Sequence, residues 1–131
     1  MIIQPNKISS KERYKLAIGT ILPRPIAWVS TISKEGIPNL APFSYFTVAS
    51  VSPLTLLFCP QNPQDNVKKH TQQNIEAVPE VVINLTNEET AEAMNLSATD
   101  LPLGDSEFDF AGVSPVASET ISVPRVAEAP V

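Results

Sequence analysis

Residues 23–46, PRPIAWVSTISKEGIPNLAPFSYF, decide how the rest of the chain is read. Pro23 and Pro25 hold Leu22 and Arg24 extended, because a proline ring clashes with a helical predecessor. The apolar run that follows, residues 26–32, is therefore predicted to be a strand. Lys34, Glu35 and Gly36 form the hairpin turn, with Gly36 free to take a positive φ. Beyond the turn, residues 37–40 make a short strand in which Pro38 favours an edge or a strand end, since it cannot donate to a ladder.

Upstream of this stretch, Ser9 and Glu12 have the spacing of a capping box. It opens a short helix over residues 10–18 that Gly19 ends. Downstream, residues 43–51 and 54–59 are rich in β-branched, aromatic and aliphatic side chains and suit strands, with Pro53 and Pro60 bracketing the second. Residues 61–66 read as a turn, and Asp65 or Asn66 caps a helix over 67–75. Residues 81–85 form a further strand. Thr86 and Glu89 make a second capping box, ahead of a helix that reaches Met94 or Leu96. A loop over 97–105 leads to a helical turn over 106–111, closed by Gly112, and residues 119–131 are extended. The order describes a mostly β fold with short helices. Strands do not alternate with long helices as a doubly wound sheet requires.

The 131 residues make one domain or part of one, and 43% hydrophobic against 18% charged residues favours an ordered core. Thirteen prolines and four glycines disfavour long helices. A net charge of −5 disfavours nucleic acid or an anionic membrane as partner, so any anionic ligand needs a local cationic cluster. No charged-then-apolar segment opens the chain and no run of 18 apolar residues occurs, which places the expectation in the cytoplasm.

Several chemistries drop out on composition. No Gly-x-Ser-x-Gly elbow is present for a triad hydrolase. His70 is the single histidine and Cys59 the single cysteine, so no zinc ligand set is expected. Gly19, Gly36, Gly104 and Gly112 are too scattered for a phosphate loop or a dinucleotide fingerprint. On the residues alone, Trp28 reads as core, Cys59 as a small buried hydrophobe, Lys68 to His70 as a solvated helix face, and Ser30, Thr31 and Ser44 as ordinary strand hydroxyls. Arg24 suits a structural or a ligand-binding role equally.

Six segments in order, PRPIAWVST, NLAPFSYF, KKHTQQNI before VVINL, AMNLSA, EFDFAG and PRVAEAP, resemble the flavin reductase-like family of FMN-binding split barrels that includes flavoredoxin. The resemblance extends from Tyr14 to the last residue. It implies a Greek-key antiparallel barrel, a homodimer, and FMN held near the subunit interface. It also implies a hydride passed from NADH or NADPH to the flavin, or electron transfer by the bound flavin. The protein's share of that chemistry is binding and orientation, so no catalytic side chain is named. Carried over residue by residue, Ser30 and Thr31 are flavin or phosphate contacts. Asn39, Ala41, Pro42, Phe43 and Ser44 line the ring and ribityl chain. Lys69 and Thr71 bind phosphate, with His70 standing where the family commonly has an acid. The chain stops inside a segment that in the family leads on to further strands, so the single domain over 1–131 is expected to be incomplete at its C-terminus, with barrel strands missing and a sheet edge left open. A flavin-binding electron carrier and a non-catalytic barrel remnant acting through oligomerisation are the alternative functions.

Overall fold

The structure is a computed structural model that describes residues 2–61, 67–102 and 104–131. Its centre is a three-stranded antiparallel sheet of β1 (Ala27–Ile32), β2 (Pro38–Phe43) and β5 (Val82–Asn84), in the order β2-β1-β5. The turn between β1 and β2 has Gly36 at φ +85°, a conformation that L side chains rarely adopt. Pro38 pairs with Ile32 at the start of β2, an edge strand, as a residue without an N–H requires.

Side chains alternate across the sheet, and its two faces are both covered. Trp28 and Leu40 face α4 (Glu107–Ala111) and pack with Phe108, Ala111, Val113 and Val126, flanked by Ala93 and Met94 of α3 (Ala91–Leu96). Ala27, Val29 and Phe43 face the other way, against Phe46 and Phe58 of a hairpin made by β3 (Phe46–Val51) and β4 (Leu54–Phe58). The helix α2 (His70–Ala77) packs on β1 and β2. Two short strands, β6 (Pro115–Val116) and β7 (Arg125–Val126), form a third small sheet beside β5. Among the described residues the strands therefore form three small antiparallel sheets and do not close into one barrel.

Polar side chains stitch distant segments to the central sheet. The Trp28 indole N–H donates to Ser97 Oγ at 2.8 Å, which satisfies the one polar atom of a fully buried ring. Asn84 Nδ2 donates to Trp28 O at 3.0 Å and to Ser30 Oγ at 3.2 Å, while its Oδ1 accepts from Val126 N–H at 2.8 Å. At the free edge of β2, Ser106 Oγ donates to Pro38 O at 2.7 Å, and Leu40 N–H donates to Glu107 Oε2 at 3.1 Å.

The helix α1 (Ser10–Thr20) begins at the expected box: Glu12 N–H donates to Ser9 Oγ and Ser9 N–H to Glu12 Oε2. The Ser9 hydroxyl and backbone hydrogen bonds hold the Glu12 carboxyl below its ordinary range. Gly112 takes the left-handed conformation that ends α4.

Other expectations need correction. Gly19 lies inside α1, which runs on to Thr20, because glycine weakens a helix without forbidding it. Residues 43–51 are two strands, since the chain bends at Ser44 and Tyr45 between β2 and β3. The helix expected over 67–75 begins at His70, and the proposed caps Asp65 and Asn66 lie outside the described residues. The second capping box does not form: α3 has Thr90 at its N-cap with no side-chain cap, and Asn87 and Thr90 instead close the turn before the helix, each side chain accepting from the other's backbone N–H at 3.0 Å. Cys59 is exposed because it directly follows Phe58 at the base of the β3–β4 hairpin: Phe58 turns in to the core, and the next side chain along an extended backbone points away from it. The segment over 119–131 is mostly bends and turns, with Arg125–Val126 its only strand.

Candidate functional site

The N-terminus of α2 abuts the edge strand β2 because two side-chain contacts hold it there. Asn39 Nδ2 donates to Thr71 Oγ1 at 3.1 Å, and Asn74 Nδ2 donates to Thr31 Oγ1 at 3.1 Å. Asn39, Thr71, Asn74 and Thr31 are all buried, so these bonds form away from competing water. Between this helix start, β2 and the connection from α3 to α4 lies a cleft of about 260 Å³. Asn39, Ala41 and residues 67–71 line one part of it, and Ser97 to Leu101 with Glu107 line the rest.

The charges in the cleft are arranged by local chemistry. Lys69 is the N-cap residue of α2, and no side chain caps the helix, so the first-turn N–H groups are left for another acceptor. Those N–H groups and the positive end of the helix favour an anion. Lys68 is taken up by Glu76, at 2.7 Å, whereas Lys69 has no ion-pair partner among the described residues. Asp100 and Glu107 supply negative charge elsewhere on the lining. Burial pushes the Glu107 carboxyl above its ordinary range, and Asp100 adds to the rise. The Leu40 N–H, Glu107's own N–H and the His70 charge oppose it.

The nine residues singled out by sequence fall into three places. Asn39, Ala41, Lys69 and Thr71 meet in this cleft. Pro42, Phe43 and Ser44 line a second, smaller cleft at the other end of β2, with Tyr14, Arg24, Tyr45, Cys59 and Gln61. Ser30 and Thr31 are fully buried and line neither cleft, Ser30 donating to Pro124 O at 2.6 Å and Thr31 accepting from Asn74. Sequence reasoning missed Glu107, Asp100 and Asn74. Glu107 stands directly after Ser106 at the start of α4, where an acid is expected to be solvated, so its burial leaves no local signal.

The donor set fits FMN. A cation, uncapped helix amides and the Thr71 hydroxyl, which accepts from Asn39 and keeps its own hydrogen to donate, suit a phosphate. Ala41, Val67 and Leu101 offer apolar lining to a ring.

Known proteins share this fold. The family described as a flavin reductase like domain matches residues 18–131. An uncharacterised protein of Halalkalibacterium halodurans is 41% identical over 128 residues, 98% of this chain and 61% of that protein. The crystal structure of nitrilotriacetate monooxygenase component B from Bacillus cereus superposes with a TM-score of 0.92 at 38% identity, over 98% of this chain and 63% of that one. That of 2-nitrobenzoate 2-nitroreductase from Pseudomonas fluorescens gives 0.84 at 31% identity, over 99% of this chain and 61% of that one. The chain thus spans about three fifths of the length of the relatives it matches.

Proposed function

Because the chain belongs to the flavin reductase like domain family and has that family's split-barrel fold in short strands and helices, we propose that it binds FMN and serves as an NADH- or NADPH-dependent flavin oxidoreductase. The observation that carries this reading is the juxtaposition of Lys69 and the uncapped start of α2 with Asn39, Ala41 and Thr71 in one cleft. Lys69, the first amides of α2 and the Thr71 hydroxyl hold the phosphate. Asn39 and Ala41 face the remainder of the cofactor, Ala41 being small enough for a flat ring to approach the backbone. Thr31, through Asn74, and Asn39, through Thr71, fix the angle of α2 against the sheet. Ser30 ties the same strand to the segment around Pro124. When bound, the flavin supplies a centre that accepts a hydride from the reduced nicotinamide, which leaves oxidised.

The relatives support an oxidoreductase: one is a monooxygenase component and another a nitroreductase. A homodimer belongs to the same reading, supported by the apolar side chains that the β3–β4 hairpin leaves uncovered, Val51 at 82% and Leu54 at 72% exposure. Localisation in the cytoplasm is also proposed; no helix among the described residues is long and apolar enough to cross a membrane.

Titration of the purified protein with FMN, followed by the visible spectrum and flavin fluorescence, tests binding. Quenched fluorescence and a saturable spectral shift are expected, and unchanged spectra would sink the proposal. Anaerobic addition of NADH or NADPH then tests turnover. Bleaching of the bound flavin supports the reductase, and binding without bleaching by either nucleotide leaves an electron carrier.

A further inference from the structure

The second cleft, about 120 Å³ in volume at the far end of β2, is built from hydrogen-bond donors around a restrained arginine. Arg24 is half-buried; its Nη1–H donates to Ser44 Oγ and its guanidinium lies over the Tyr45 ring, 5.8 Å from the centroid. These two contacts fix the plane of the group. Its Nε–H is buried and has no partner among the described residues. Among the described residues no acidic side chain lines the cleft. In a chain of net charge −5, a half-buried guanidinium with no carboxylate partner among the described residues is conspicuous, because withdrawing a charge from water is costly unless a counter-charge replaces it. Ser44 Oγ accepts from Arg24 and so keeps its own hydrogen to donate. The Tyr14 hydroxyl and the Gln61 amide add further donors.

We propose that the Arg24–Ser44 cleft is a binding site for an oxyanion group, a phosphate or a carboxylate, separate from the one at Lys69. At less than half the volume of the Lys69 cleft, it suits one terminal group of a ligand rather than a ring system. Arginine with a fixed plane favours such a group because its parallel N–H bonds match two oxygens of one anion. The inference does not depend on the flavin reading, since none of its residues lines the Lys69 cleft.

Cys59, the one cysteine of the chain, lines this cleft and is exposed, so its alkylation reports on the site. The flavin-free protein is treated with iodoacetate and with iodoacetamide, and the ratio of rates is compared with that of a small free thiol. The ratio is expected to favour the anionic reagent by about fivefold, the size of a unit-charge attraction over a few ångströms in water. Arg24→Gln should return it to the small-thiol value, and Ser44→Ala should lower it in part. Inorganic phosphate or acetate should slow the reaction more than chloride at equal ionic strength, and whichever protects better identifies a phosphate or a carboxylate site. The wild-type protein carries the decisive arms, so a variant that fails to fold leaves the test intact. An unchanged rate ratio, protection by chloride alone, or protection by FMN that neither simple anion reproduces would overturn the proposal.

Discussion

The central sheet and the β3–β4 hairpin are both antiparallel and both rich in apolar residues, yet they solve the problem of covering those residues in opposite ways. Ala27, Trp28 and Val29 of β1 have no exposed surface, and Ser30 and Thr31 beside them are buried with their hydroxyls bonded. Leu54 and Val51 at the hairpin tip are largely exposed, and only its base, Phe46 and Phe58, packs on the core. Two strands alone cannot bury their own faces, whereas a sheet with helices on one side and a hairpin on the other can. The comparison teaches where each kind of residue acts: on the sheet a polar side chain is a structural tie, and on the hairpin an apolar side chain is available surface.

The sharpest way to break the comparison is at its best-buried ring. Trp28→Ala should cost about 3–5 kcal/mol, read by urea denaturation, since it opens a cavity and leaves Ser97 without its donor. Asn84→Ala comes next at about 2–3 kcal/mol, because Ser30 Oγ loses a donor and the Val126 N–H an acceptor in a dry interior. Lys69→Ala should spare stability and weaken FMN about tenfold more than riboflavin, which lacks the phosphate, corresponding to about 1.4 kcal/mol. Equal weakening of both flavins in a fluorescence titration would remove Lys69 from the phosphate.

The Glu107 carboxyl gives a smaller, pH-dependent test at the sheet's edge. Its burial raises the native pKa above the ordinary value of 4.5. Between the unfolded and native values the native state holds a proton that the unfolded state has lost, so stability falls as pH rises through that window. Glu107→Gln keeps an oxygen for Leu40 N–H and removes the ionisation. Thermal midpoints of the two proteins should coincide when Glu107 is protonated in both states, and the variant should gain as pH rises. A constant difference at all pH values would contradict the assignment. Smallest of all, Leu57→Ser on the half-exposed hairpin should change unfolding by less than about 0.5 kcal/mol in a monomer. A larger loss that depends on protein concentration is the signature of the proposed homodimer.

Much of this organisation was legible in the sequence where its causes are local. The Ser9 and Glu12 box, the Gly36 turn, Pro38 at an edge and Gly112 at a helix end each depend on neighbours within a few positions. Trp28 as core followed from its apolar run. Where the cause is remote, the reading stopped. Nothing near Asn74 or Asn84 announces that their partners are Thr31, Trp28 and Val126, 43, 56 and 42 residues away. Cys59 ends an apolar run as a core residue would, and it is exposed because its neighbour Phe58 takes the inward position at the base of the hairpin. The site residues were brought together in part: Lys69 and Thr71 with Asn39 and Ala41, but Ser44 with Arg24 instead.

The two bonds that α4 makes to β2 carry a further consequence. Pro38 O and Leu40 N–H lie along the unpaired side of an edge strand, where a strand from another molecule would dock. Ser106 and Glu107 fill those positions with side-chain groups, so an incoming strand meets a ladder whose rungs are already occupied and a helix lying across its path. A short helix thereby protects the chain from runaway strand addition at the flank that the cleft keeps open to ligands.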